Sequence, residues 1–300
     1  MAEWVTLENR ALKVVIDPAQ GAGIMAFEVK KNGSSLSLMP DTRDRACDLK
    51  AACFLMLPYS NRIENGLFTF NGRTHRLANA ENDSIHGDTR FRAWIVEKAS
   101  ATGIRCRFVS SKQPDVNWPW PFEACVDYEI SKNVLTSRIM LWNRGESTMP
   151  AGFGWHPYFN RMPSGKDEPV YLCFKTQGVY PDAQDNRIPS GPAEPLSPEQ
   201  DFSKEKRLLP NAFIDACCPG YDGNGYILWS GSNIRLVFDC SPECTHLIMY
   251  NPARDYFAVE PVTNANNGVN LYEQGFSTSG VVALPPGACL DATFRMIVEG

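Results

Sequence analysis

The stretch FEACVDYEI, residues 122–130, changes character at every step. Phe122, Ala124, Val126, Tyr128 and Ile130 are apolar or aromatic, whereas Glu123, Cys125, Asp127 and Glu129 fall between them. Successive side chains of a strand point to opposite faces, so this period of two puts one set in a core and the other towards solvent. NVLTSRIMLWN follows across a polar SKN turn, with Leu135, Ile139 and Leu141 on one parity, which predicts a hairpin. GIRCRFVS and SNIRLVFDC repeat the pattern. Asn-Gly pairs at 32, 71, 224 and 267 supply the turn chemistry that tight hairpins prefer, and the pair at 71 separates LFTF from RTHRL. No long segment carries a 3.6-residue period, and no Pro- or Ser-rich linker divides the chain. The fold class that follows is all-β, a single large antiparallel β-sandwich over residues 1–300. The least strand-like stretch, 181–212, holds six prolines and reads as a long surface loop at a sheet edge or cleft mouth.

Composition narrows the function. A net charge of -5, from 29 basic and 34 acidic residues without long runs, leaves no electrostatic footprint for nucleic acid or an anionic membrane. A small neutral or mildly polar partner fits better. The start, MAEWVTLENRALKVVID, lacks a basic region followed by an apolar stretch, so a soluble, unexported, cytoplasmic protein is expected. The ten cysteines are scattered, and there is no C-x-x-C or H-x-x-x-H, so neither a disulfide framework nor a metal is expected. GYDGNG has its glycines in the wrong order for a dinucleotide loop, and no G-x-S-x-G is present, which leaves a serine hydrolase unsupported.

Few residues are left to carry chemistry. Of four histidines, His75 lies beside a turn and His246 in an apolar strand, and both read as structural. His86 in NDSIHGD and His156 in GFGWHPYFN adjoin Gly or Pro, where strands end and side chains can enter a cleft. A lone histidine at a strand end is more often an ordinary packed residue than a catalytic one. Glu260 closes the apolar run YFAVE and shares a strand face with Tyr256 and Ala258. A carboxylate there is costly unless it is used or paired, or it simply ends an edge strand in water.

LPYSNRIENGLFTFNG, NDSIHGD, GWHPYFN, NAFIDACC and FAVEPVT, in this order and with these gaps, resemble the aldose 1-epimerase (galactose mutarotase) superfamily. The resemblance extends to LPPGACLDATFRM and covers roughly four fifths of the chain. It implies a β-sandwich with an open cleft and interconversion of the α and β anomers of a free aldose without a cofactor. It also implies Arg62 and His86 as substrate binders, His156 as general acid, Asp215 as a sugar-hydroxyl ligand with Asp222 as its competitor, and Glu260 as general base. Trp155, Tyr158 and Phe159 would cover the apolar face of the sugar. Where galactose mutarotases usually carry a second glycine after the first histidine and an asparagine before the second, this chain has Asp88 and Trp155. HGDTRFRAW instead resembles the H-G-x-x-R-x-x-x-W pattern of branches that include hexose-6-phosphate epimerases and sulfosugar mutarotases.

The partner implied is a small-molecule sugar, and the assembly a monomer or homodimer. A non-catalytic sugar-binding sandwich would keep the aromatic residues and Arg62 without needing both His156 and Glu260. A glycosidase would use Asp215 and Glu260 and leave His156 idle. Arg90 and Arg92 are expected to alternate on the solvent face of a strand leading to Trp94, with Asp88 opposing an anion site, which favours neutral aldoses over their 6-phosphates.

Overall fold

The computed structural model describes residues 4–78 and 84–300; Asn82 and Asp83 of NDSIHGD lie outside them. Alternation becomes two nine-stranded sheets whose strand pairs are antiparallel. The first runs in the order Val5–Glu8, Leu12–Asp17, Gly23–Lys31, Cys53–Met56, Gly154–Asn160, Tyr256–Val262, His246–Asn251 and Ile214–Pro219, with Ser34–Met39 attached to Gly23–Lys31. The second runs Ile95–Ala99, Gly103–Val109, Phe122–Ser131, Val134–Asn143, Cys289–Glu299, Ile234–Cys240, Asn224–Trp229, Val170–Phe174 and Lys206–Arg207. Phe122–Ser131 and Val134–Asn143 pair along their whole length through a Lys132–Asn133 turn, as the parity predicts.

The core lies where the two sheets face each other. Trp155 and Phe159 of the first sheet meet Phe294 and Phe238 of the second, with ring centroids 5.7 and 5.8 Å apart. Such aromatic contacts add to the burial of large apolar side chains, the dominant stabilising term in a sandwich. All ten cysteines are free thiols, six of them buried.

Of the Asn-Gly pairs at 32, 71, 224 and 267, two make the tight hairpins expected. At Asn32–Gly33 and Asn71–Gly72 both residues have positive φ and join paired strands. Asn224–Gly225 instead opens a strand, where a Cβ on Gly225 would lie 2.1 Å from the Phe174 ring, so glycine serves close packing. Asn267–Gly268 heads Gly268–Glu273, the one α-helix among the described residues. Residues 181–212 are largely irregular, apart from the short pairing at Lys206–Arg207 and a bridge between Val179 and Glu194. No helix of the described residues is long and apolar enough to cross a membrane.

Candidate active site

Most of the residues singled out in the sequence gather on the outer face of the first sheet. Gly154 pairs with Val262 and Tyr158 with Ala258, so His156 and Glu260 stand opposite each other between those pairs. Side chains at such cross-strand positions are near neighbours. His156 Nε2 lies 3.2 Å from Glu260 Oε1. The same register continues sideways, since Phe54 is opposite His156, Ile248 opposite Glu260 and Cys217 opposite Ile248. Five strands thus supply one row, Phe54, His156, Glu260, Ile248 and Cys217, and the next row carries Tyr158, Ala258, Tyr250 and Asp215.

His156 is held between rings. Phe54 and Tyr158 lie 4.4 and 4.5 Å from it, centroid to centroid, and His86 meets it edge-on at 5.1 Å. His86 reaches this position through a backbone reversal, with φ of 65° at His86 and 67° at Gly87. Its N–H donates to Asn61 O at 2.8 Å. A Cβ on Gly87 would fall 1.8 Å from Leu57 O, so only glycine admits this approach. Non-glycine residues adopt positive φ at a cost, and that cost is met here where an imidazole is aimed at a second one. Arg62 pairs with Ile85, one residue before His86, and its carbonyl accepts from Asn267 N at 2.7 Å. Ser60 is tied to the segment after Glu260, its N–H and hydroxyl reaching Asn264 Oδ1 and its hydroxyl also Asn264 O. Motifs about 200 residues apart are joined by these bonds.

Burial sets the electrostatics. Glu260 is 2% exposed and His156 6%. Desolvation disfavours both charged forms, so the Glu260 carboxyl is pushed well above the usual carboxylate range, with the nearby Asp215 charge adding to the effect. Burial pushes His156 down to about 3, and the Arg90 charge works in the same direction. With the two adjacent groups shifted in opposite directions, the pair holds one proton over the interval between their titrations, so one can accept a proton while the other donates. Glu260 Oε2 and His156 Nδ1 have no hydrogen-bond partner among the described residues.

The model for the family described as aldose 1-epimerase matches residues 3–295. The chain belongs to the aldose 1-epimerase family. It is 24% identical over 260 residues to the Escherichia coli protein YphB, which is itself uncharacterised, covering 83% of this chain and 84% of the relative. Its fold is similar to that of a galactose mutarotase-like protein from Clostridium acetobutylicum, with a TM-score of 0.85 and 20% identity, covering 98% of this chain and 94% of that one. A galactose 1-epimerase from Lactobacillus acidophilus superposes with a TM-score of 0.76 and 17% identity over 98% of this chain and 93% of that one. The family and the galactose mutarotase-like fold support a carbohydrate epimerase, an isomerase activity.

Of the residues singled out in this aldose 1-epimerase family member, His156, Glu260, His86, Arg62 and Asp215 converge on the outer face of the first sheet or its rim. Trp155 does not. It is 1% exposed, its indole N–H donates to Ser137 Oγ at 2.7 Å, and it packs on Phe294 in the core. Phe159 is equally internal. In a flat strand the neighbours of His156 must point the other way, so the aromatic wall of the site is Phe54 and Tyr158, not Trp155 and Phe159. Asp215 is also separated from Asp222. Burial raises the Asp215 carboxyl while Arg187 and Arg62 oppose that rise, whereas Asp222 is exposed and accepts from Asn224 N in a turn.

Arg90 and Arg92 depart from expectation. No strand lies between Ser84–Ile85 and Ile95–Ala99, so the two do not alternate on a solvent face. Arg92 is fully engaged with Asp88 at 2.7 Å and with the carbonyls of Pro114 and Asp115. Asp88 is thereby neutralised, and it also accepts from Asn117 N. Arg90 lies over the rings of Phe54 and Phe91 at 5.3 and 4.7 Å and makes no ion pair among the described residues. With His86, Phe54 and Tyr158 it lines a cavity of about 190 Å³ beside the His156–Glu260 pair. A larger depression of about 710 Å³ lies over Gly103–Val109 and Phe122–Ser131, remote from any of these groups. Phe54, Arg187 and Asn266 carried no sequence signal. Phe54 sits one residue into a short strand, Arg187 in the aperiodic loop, and Asn266 just before the helix.

Proposed function

We propose that this protein interconverts the α and β anomers of a free aldohexose by acid–base opening of the pyranose ring. The observation that carries the reading is the buried cross-strand pair of His156 Nε2 and Glu260 Oε1 at 3.2 Å, flanked by Phe54 and Tyr158. Glu260 takes the proton of the anomeric hydroxyl as His156 gives one to the ring oxygen, and the C1–O5 bond breaks to leave an aldehyde. Rotation about C1–C2 offers the other carbonyl face. The hydroxyl then adds back, His156 recovers its proton and Glu260 returns the other, so nothing is consumed. Each such transfer is typically worth 10² to 10⁴-fold, and the pair together roughly 5 kcal/mol or more of barrier lowering.

The rings of Phe54 and Tyr158 suit the C–H face of a sugar, while Arg62, His86 and Asp215 suit its hydroxyls. Anomer-resolved NMR exchange over a panel of aldohexoses tests the proposal. Accelerated exchange for at least one sugar is expected, and rates no faster than the uncatalysed ones across the panel would refute it.

One observation favours a second reading. A half-buried guanidinium with no carboxylate partner, as at Arg90, is expensive unless a ligand neutralises it, and arginine binds phosphate or sulfonate through paired donors. The like-charge objection to such a site is weakened, because Asp88 is held by Arg92. Adding 6-phosphorylated and 6-sulfonated hexoses to the same panel separates the two. A neutral hexose turned over at least as well as its charged counterparts supports the first reading.

A further inference from the structure

The far end of the row from Tyr158 to Asp215 is closed by the loop after Tyr180. Ser190 N–H donates to Pro181 O at 2.9 Å, pinching residues 181–190 into a compact turn over Asp215. At its tip Arg187 has a φ of 67°, a conformation that bulky residues rarely adopt. That backbone is strapped on both sides, since Arg187 N–H donates to Asp182 Oδ2 at 2.9 Å and Arg187 O accepts from Asn266 Nδ2 at 2.8 Å. The side chain is equally constrained. Nε donates to Asp215 Oδ2 at 2.8 Å, Nη1 to Asp182 Oδ2 at 2.7 Å, and the guanidinium lies over Phe213 at 5.6 Å.

Three carboxylates, Asp182, Asp185 and Asp215, hold Arg187 through Nε and Nη1. Among the described residues nothing engages Arg187 Nη2 or Asp215 Oδ1. Asn266 Oδ1 also lacks a partner although the residue is only 5% exposed. Arg187, Asp215 and Asn266 line one small hollow of about 10 Å³. Buried polar atoms are rarely left unpaired, as Asn266 Oδ1 is, and the partly exposed Arg187 and Asp215 add a donor and an acceptor beside it. A sugar hydroxyl both donates and accepts, so two adjacent hydroxyls satisfy such a set. Asp215 lies two strands from Glu260, which places the hollow roughly 10 Å from the base, within the span of one hexose.

We propose that Arg187 and Asn266 complete, with Asp215, a subsite that reads a vicinal pair of hydroxyls on the substrate, and that Arg187 selects which hydroxyl pattern is accepted. The inference rests on the epimerase reading above. It is tested by anomer exchange of a parent aldohexose and its singly deoxygenated analogues on the wild type, Arg187→Ala, Arg187→Lys and Asn266→Ala. Asp127→Asn is the control, because its ion pair with Arg105 lies on strands of the second sheet, away from this hollow. Loss of a hydrogen bond to a charged group predicts that Arg187→Ala raises KM for the parent roughly ten- to a hundredfold with little change in kcat. It should also abolish the wild-type penalty for losing one particular hydroxyl. Arg187→Lys should restore only part of that discrimination, since ammonium lacks the planar fork. A merely structural arginine would leave the pattern of deoxy penalties unchanged. Unchanged penalties in Arg187→Ala and Asn266→Ala, with a wild type that turns sugars over, overturn this inference and leave the epimerase reading standing. Should Arg187→Ala fail to fold, Arg187→Lys and Asn266→Ala decide on the same criterion. A wild type inactive on every sugar overturns both.

Discussion

Replacing Glu260 by glutamine separates chemistry from stability. The carboxyl is 2% exposed, faces His156 through Oε1, and leaves Oε2 without a partner. Glutamine has nearly the same shape and can still meet His156, but it can take no proton. Removing a positioned base should lower kcat/KM by about 10² to 10⁴, or about 2.7 to 5.4 kcal/mol of transition-state stabilisation. Stability should move the other way. The unfolded carboxyl ionises near 4.5, whereas burial keeps the folded one protonated to higher pH. Between those values the folded state holds a proton that unfolding releases, so the wild type loses stability as pH rises through this window. Glu260→Gln has no such loss. Its melting temperature should therefore equal the wild type's near pH 4 and exceed it increasingly towards neutral pH, while anomer exchange by NMR collapses. A variant within tenfold of the wild-type rate, or one that melts several degrees lower at neutral pH, would refute the assignment and make Glu260 a structural group.

Other perturbations probe the same geometry. His156→Asn should cut turnover at least about a hundredfold, whereas Trp229→Phe, which loses the indole bond to Asn160 O in the core, should cost only melting temperature. Because burial pulls His156 down to about 3, the acid limb of the kcat/KM profile should lie well below the ordinary histidine value of 6.5, and a limb near 6.5 would argue against the buried pair. Arg90→Ala should leave a neutral hexose nearly unaffected; if instead it abolishes a marked preference for 6-phosphates, the neutral-sugar reading fails. Trp155→Ala should destabilise by about 3 to 5 kcal/mol in denaturant titrations while leaving KM unchanged, since the indole is core.

Much of this arrangement was already legible in the chain. The parity of FEACVDYEI and its relatives determined strands, hairpins and the all-β class, because a period of two is a local property that any sheet must obey. The order of SNRI, IHG, HPYFN and VEPVT marked Arg62, His86, His156 and Glu260. Sequence could not say that Trp155 turns inwards. The same period of two that sends His156 out sends its neighbour into the core, but the face that meets the second sheet depends on packing. Nor could it locate Phe54, Arg187 and Asn266, which lie roughly 100 residues or more from His156 or in a loop without periodicity. Asp88 reads as an obstacle to anions until Arg92 is seen to hold it. For His156 and its neighbours across the sheet the deciding quantity was a distance between residues far apart in the chain, and only the register of five neighbouring strands fixes such distances.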